Sequence, residues 1–261
     1  MKITYNNETI DFFDFEIPKK LIVSLSGGLD SAAAMYLTCK HFPQIEIIPF
    51  TCRDISLVRE RDTPKDAGTP KDAEHAVKIV KWMQHEFPHV KIRDTEITDF
   101  NDKDESIISW KQCDEAIKSV DRFAKLNRVK VSKIIQMRDI AQKMVDNNPG
   151  AIRLDGMTRN PPIEEMISLG FYNKAETRRD HGAKRPQHYQ ALDTYMYQVF
   201  TNVDKKFVAD IYKQNNLMET LYPLTTSCVG TWRWTDNYTK DCHRCFWCYE
   251  KKWAFNLDWK E

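Results

Sequence analysis

A doubly wound, mostly parallel α/β sheet is the fold class this sequence predicts, and three observations predict it. Apolar runs of strand length alternate with stretches of helical periodicity along residues 20–156. A glycine-rich turn carries the first buried run straight into a helix. At 261 residues, the chain is long enough to bury roughly three quarters of its unfolded surface, which suits one large α/β domain with an appendage.

The elements follow in order. Residues 1–18 read as a leader able to add an edge strand, with Ile3, Tyr5 and the aromatic-acidic run Asp11-Phe12-Phe13-Asp14-Phe15. Leu21-Ile22-Val23-Ser24-Leu25 is the first buried strand, and a helix runs from the turn behind it to about Phe42. Ile45–Phe50 forms the second strand. An imperfect repeat, Thr63-Pro64-Lys65-Asp66-Ala67 and Thr69-Pro70-Lys71-Asp72-Ala73, then reads as a loop duplicated beside a helix start. In its second copy Thr69 is the N-cap, Pro70 the first helical residue, and Asp72 sits at the capping-box position. Ala76, Ile79, Val80 and Met83 continue that helix at helical spacing. Lys91–Ile97 is a third short strand, residues 104–147 a helical insertion, and Ala151–Gly156 a further strand. Alternation of this kind specifies a parallel sheet covered on both faces, with residues 1–200 as the α/β domain and 201–261 as a C-terminal helix and small metal-binding lobe. Ligands on such sheets bind beyond the carboxyl ends of the strands. There the loop after Leu25, Thr51 and Cys52 after the second strand, and Gly156 after the last one are expected to converge.

The turn Ser26-Gly27-Gly28-Leu29-Asp30-Ser31 has the makings of a phosphate site. Glycines turn tightly and let the backbone approach an anion. A helix start behind them offers unpaired N–H groups and the positive end of its dipole. Ser26 and Ser31 add hydroxyl donors, and Asp30 is the residue to hold a metal ion bound to the phosphates. No lysine follows the second glycine, so this is not a Walker loop, and it is not Gly-x-Gly-x-x-Gly either.

Charge and cysteine usage narrow the rest. Lys and Arg number 39 against 38 Asp and Glu, a balance with no global pull toward nucleic acid or membrane. No apolar run reaches transmembrane length, and the first residues lack a signal-peptide core, so a cytoplasmic protein is expected. Of the seven cysteines, Cys39, Cys52 and Cys113 are scattered. Cys228, Cys242, Cys245 and Cys248 cluster with two-residue gaps between the last three, a pattern that places successive thiolates on one ion. Structural zinc is the expected metal and an iron–sulfur cluster its competitor; His243 reads as a surface residue of the knuckle. Residues 173–188, with Lys174, Arg178, Arg179, Lys184 and Arg185, read either as a loop closing on an anion or as a solvated loop.

The hexapeptide resembles the pyrophosphate loop of the N-type ATP pyrophosphatases, whose fold is adenine nucleotide alpha hydrolase-like. Together with the four-cysteine spacing, the chain is most similar to the 7-cyano-7-deazaguanine synthase family. The likeness resumes at Lys205-Lys206-Phe207-Val208-Ala209-Asp210-Ile211, at Tyr222-Pro223-Leu224-Thr225-Thr226-Ser227-Cys228, and at the tail through Trp253-Ala254-Phe255. Weaker matches are Ala151–Gly156 and Arg138. The segments that family uses after its second strand and around its base are not recognisable, as Phe50-Thr51-Cys52-Arg53 and Met157-Thr158-Arg159-Asn160-Pro161-Pro162 show. The resemblance implies ATP, Mg²⁺ and Zn²⁺ as cofactors. It implies Ser26, Asp30 and Ser31 as catalytic residues, nucleotide contacts from Leu25, Ser26, Gly27, Gly28, Leu29, Asp30, Ser31, Thr51, Arg138 and Gly156, and metal ligation by the four cysteines. The implied reaction adenylates a small acid, such as 7-carboxy-7-deazaguanine, with ammonia as the second substrate. No membrane partner is expected, nucleic acid is disfavoured, and a homodimer is left open. Two rival readings are sulfur transfer to tRNA through Cys52 or Cys113, and a non-catalytic zinc protein stacking bases on Trp232, Trp234 and Trp247.

Overall fold

The computed structural model describes residues 1–54, 71–100, 112, 114, 115, 118, 128–171, 188–191, 194–228, 234–236 and 240–259. The first copy of the Thr-Pro repeat, Thr69 and Pro70 of the second, most of the expected helical insertion before Arg128, Cys113, Trp232 and residues 173–187 of the basic stretch lie outside them.

The central sheet has six strands. In chain order the strands are β3 (Lys20–Ser24), β4 (Glu46–Asp54), β5 (Glu96–Phe100), β6 (Ala151–Asp155), β7 (His188–Ala191) and β8 (Thr194–Gln198). Their spatial order is β5-β4-β3-β6-β8-β7. The first five run parallel, and β7 closes one edge antiparallel to β8. The helices are α1 (Leu29–His41), α2 (Lys71–Glu86), α3 (Arg128–Asp146), α4 (Ile163–Ser168), α5 (Lys205–Gln214) and α6 (Phe246–Phe255).

The pleat of β3 explains why both faces need helices. Leu21 and Val23 enter the principal core with α1, α2, α5 and α6, whereas Ile22 joins Ile48, Phe50, Ala141, Met144 and Ala151 on the face that α3 covers. All three β3 side chains are fully buried. Helix α1 is buried over nearly its whole circumference. Its Ala32-Ala33-Ala34 run lets neighbouring backbones come close without leaving voids.

The structure departs from the sequence expectation at both ends of the α/β unit. The leader does not extend the sheet. Instead β1 (Lys2–Tyr5) and β2 (Glu8–Asp11) pair with each other as a hairpin. Asn6 and Asn7, at φ of 48° and 58°, supply the two positive-φ residues that a tight hairpin turn needs. The aromatics behind the hairpin dock on the sheet instead. Phe13 stacks on Tyr197 at 5.2 Å and donates its N–H to the Tyr197 hydroxyl, which in turn donates to the Asp11 carbonyl. Strands β7 and β8 and helix α4 are the other additions, β4 runs on to Asp54, and the third expected strand lies later, at Glu96–Phe100, with only a single bridge from Ile92 to Ile47. No helix among the described residues is long and apolar enough to cross a membrane.

Candidate functional site

The chain leaves β3 outward to β4 and β5, then returns to lay β6 on the other side of β3. Open α/β sheets bind ligands at such a reversal, beyond the carboxyl ends of the flanking strands, here β3 and β6. The loop after β3 and the segment after β6 meet at that end of the sheet.

Each residue of the β3–α1 loop has a physical role. Leu25 is buried and donates its N–H to the Phe50 carbonyl at 2.9 Å, so it anchors the loop to β4. Gly27 adopts φ +73°, and a Cβ there would lie 2.5 Å from the Asp72 carbonyl oxygen and 2.9 Å from His75 Cβ. The first turn of α2 therefore presses on the loop, and only glycine satisfies both demands. Gly28 is the N-cap of α1 and offers no side-chain acceptor, which leaves the first-turn amides of α1 free for an anion. Ser31 Oγ donates to the Gly28 carbonyl at 3.1 Å and lies 3.4 Å from Ser26 Oγ, so the two hydroxyls line one side of the turn. Leu29 is buried, and its carbonyl accepts from the Tyr212 hydroxyl at 3.1 Å. Gly156 meets the loop from β6. A Cβ on it would stand 2.5 Å from the Asp30 carbonyl oxygen and 2.7 Å from the Ser31 nitrogen, so glycine is what allows the two segments to touch.

Behind the loop lies a buried bridge of charges. Lys205, at the start of α5 and 3 % exposed, places its ammonium 3.1 Å from Asp30 Oδ2 and 2.9 Å from Glu250 Oε2. Burial pushes this ammonium down, but the two carboxylates outweigh it and hold its pKa above the ordinary lysine value. Asp30 Oδ1 and Glu250 Oε1 are buried with no hydrogen-bond partner among the described residues. Asp30 is thus oriented by Lys205 and retains one carboxylate oxygen able to meet a cation. Helix α5 presents Lys205 here because Asp204 caps it, accepting from the Lys206 N–H at 2.8 Å.

The four C-terminal cysteines come together as their spacing predicts, with all four Sγ atoms within 4.8 Å of one another. Cys242 and Cys248 Sγ are 3.9 Å apart. One tetrahedral ion with metal–sulfur bonds of about 2.3 Å sets its sulfurs about 3.8 Å apart, so the quartet fits a single ion. Backbone amides already point at these sulfurs, from Cys242 to Cys228 Sγ at 3.2 Å and from Arg244 and Cys245 to Cys242 Sγ at 3.4 Å. Hydrogen bonds with Cys228 and Cys245, then burial, push the Cys248 thiol far up. A cation among the sulfurs removes that penalty. The His243 ring stacks on Trp259 at 4.3 Å, and the donor set is four sulfurs.

Thr51 is buried in β4, paired in register with Ile97. Arg138, on α3, pairs with its neighbour Asp139 at 2.8 Å and has no bond to the loop among the described residues. Cys39 is buried in α1, where burial pushes its thiol up, and half-buried Cys52 packs against the smaller core cluster. Trp234 is 53 % exposed, and Trp247 packs edge-on against Phe246.

Sequence reasoning did not single out Lys205, Glu250 or Arg153 as site residues. Arg153, inside β6, donates from Nε to Ser24 Oγ at 2.7 Å, lies 3.9 Å from Asp155 and rests over the Phe50 ring. A charged residue in a central parallel strand was its available signal, since such strands are otherwise near-continuously apolar.

No family model matches the sequence, and neither does any curated protein. Among solved structures, the chain is similar to NMN synthetase from Francisella tularensis at 13 % identity, over 94 % of this chain and 90 % of that one, with a TM-score of 0.39. It is also similar to a U34-tRNA thiolase from Methanococcus maripaludis, described with its 4Fe-4S cluster, at 12 % identity over 91 % of this chain and 70 % of that one, with a TM-score of 0.40.

Proposed function

We propose that this protein is an ATP-dependent ligase that activates a small acid and transfers it to ammonia. The observation that carries this reading is the uncapped start of α1 behind Gly27 and Gly28 at the sheet's switch point, with Ser26 and Ser31 beside it. That arrangement holds a polyphosphate through amide N–H groups and hydroxyls, with no lysine in the loop itself. An oxygen of the acid attacks the α-phosphorus of ATP, pyrophosphate leaves, and the acyl group is joined to AMP. Ammonia then displaces AMP, giving the amide and releasing a proton. With 7-carboxy-7-deazaguanine as the acid, a second activation at the amide oxygen yields the nitrile. Catalysis here is positioning and electrostatic stabilisation by fixed donors. Asp30 Oδ1 is the donor for Mg²⁺, whose contribution when bound is to neutralise charge on the leaving pyrophosphate. Zinc in the cysteine site is read as structural, since all four ligand positions are filled by sulfur.

The test is a screen of acids, including 7-carboxy-7-deazaguanine, with α-labelled ATP, Mg²⁺ and ammonium. Acid-dependent formation of AMP and pyrophosphate is expected. ADP and inorganic phosphate as products, or no AMP with any acid, would contradict the proposal. Thiolation of a tRNA with the same AMP formation would favour sulfur transfer instead.

A further inference from the structure

The β3–α1 loop and the cysteine site are joined twice, from opposite sides. On one side Thr226, two residues before Cys228, donates its N–H to the Gly27 carbonyl at 2.8 Å. The Thr226 carbonyl also lies 3.3 Å from where a Cβ on Gly28 would stand, so the two backbones are in van der Waals contact. On the other side Glu250, two residues after Cys248, holds Lys205 at 2.9 Å, and the same ammonium holds Asp30 at 3.1 Å. Each arm begins beside a cysteine and ends in the loop. The four sulfurs close the circuit.

We infer that occupancy of the cysteine site by its metal sets nucleotide affinity at the loop, with Glu250 and Lys205 as positioning residues that carry the orientation of α6 to Asp30. This rests on the reading of the loop as an ATP site. The arm is stiff for a physical reason. Glu250 is 1 % exposed and Lys205 3 %, and breaking either contact would strand an ion in the core, so the charges keep their geometry or lose it together. Cys245 caps α6 and Cys248 lies in its first turn. Without an ion the first turn of α6 loses the anchors at Cys245 and Cys248, and Glu250, two residues beyond Cys248, shifts with that turn. Lys205 is then left with Asp30 alone, and the Asp30 carboxylate is re-aimed relative to Ser26 and Ser31. Thermodynamic linkage requires the reverse effect as well: nucleotide at the loop must tighten metal at the cysteines by the same factor.

The experiment uses zinc-loaded protein, α,β-methylene ATP with Mg²⁺, and a chromophoric zinc chelator under reducing conditions. Saturating nucleotide is expected to lower zinc capture at equilibrium about tenfold, within the usual range of coupling between sites. Removing zinc weakens nucleotide binding by the same factor. Glu250→Gln keeps its four cysteines and one zinc per chain, binds nucleotide several-fold more weakly, and no longer protects zinc when nucleotide is added. Equal zinc capture with and without nucleotide in the wild type overturns the inference, and so does a zinc-retaining Glu250→Gln that binds and protects like wild type. Should that variant lose its zinc, the cobalt-substituted wild type decides: its thiolate–metal absorption shifts on nucleotide addition if the sites are coupled and stays fixed if they are not. Zinc-loaded wild type that binds no nucleotide would instead sink the reading of the loop, which keeps the two failures distinct.

Discussion

Cys248→Ser, or stripping the wild type with a strong chelator, is expected to loosen the C-terminal segment and lower the stability of the principal core it packs into. Structural zinc in small domains contributes on the order of 10 kcal/mol of folding energy, comparable to the whole net stability of a typical domain. The effect spreads because α6 is not a detached knuckle. Phe246, Trp253, Ala254 and Phe255 are buried in the same core as β3 and α1. Trp253 also donates its indole N–H to Glu165 at 2.6 Å while Lys206 sits over its ring. Near-ultraviolet circular dichroism and thermal melting check this. The expected outcome is loss of aromatic signal and a lowered, broadened melt for the stripped protein, reversed by adding zinc. An unchanged melt in a protein shown by elemental analysis to carry no metal would refute the structural role.

Lys205→Met is expected to be the most damaging single change away from the cysteines. It leaves Asp30 and Glu250 facing each other with no cation between them. Breaking a buried ion pair by removing one partner costs about 3–5 kcal/mol, which a lower urea midpoint at unchanged slope would register. Adding Glu250→Gln to it should recover part of the loss, because the stranded charge rather than the missing lysine carries most of the penalty. The pH dependence has a definite sign. The folded-state pKa of Lys205 is raised above 10.5, so its contribution is fully present below that value and lost only as pH rises through the folded-state pKa. Wild type and Lys205→Met should therefore keep a constant stability gap through neutral pH and converge in strong alkali.

What was legible in the chain and what was not divide along sequence distance. The β3–α1 turn and the cysteine knuckle are local: a strand, two glycines and a helix start within eleven residues, or three cysteines within seven, specify their geometry without reference to the rest of the chain. The parallel sheet followed from alternating periodicities in the same way. Lys205 was invisible as a site residue because both its partners lie far away in sequence, on α1 and α6. A lysine at a helix start normally reads as a solvated one. Arg138, by contrast, could be matched only weakly by resemblance, and α3 seats it beside Asp139. Strand β8 was missed because Thr194-Tyr195-Met196-Tyr197-Gln198 is short and follows a polar, charged stretch. The aromatic docking of Phe13 and the pairing of Arg153 with Met196, both across the sheet, are what hold it in place.

The central claim is that the bend after β3 receives the phosphates of ATP, and selective labelling addresses it directly. The chain has eight glycines, so protein labelled with nitrogen-15 at glycine alone gives a spectrum simple enough to assign. Titration with α,β-methylene ATP and Mg²⁺ should move the Gly27, Gly28 and Gly156 amides saturably, and leave Gly150 and Gly170, where an added Cβ would meet nothing within 4 Å, where they were. A titration to saturation that moves Gly150 or Gly170 but not Gly27 and Gly28, or that moves no glycine at all, would contradict the account.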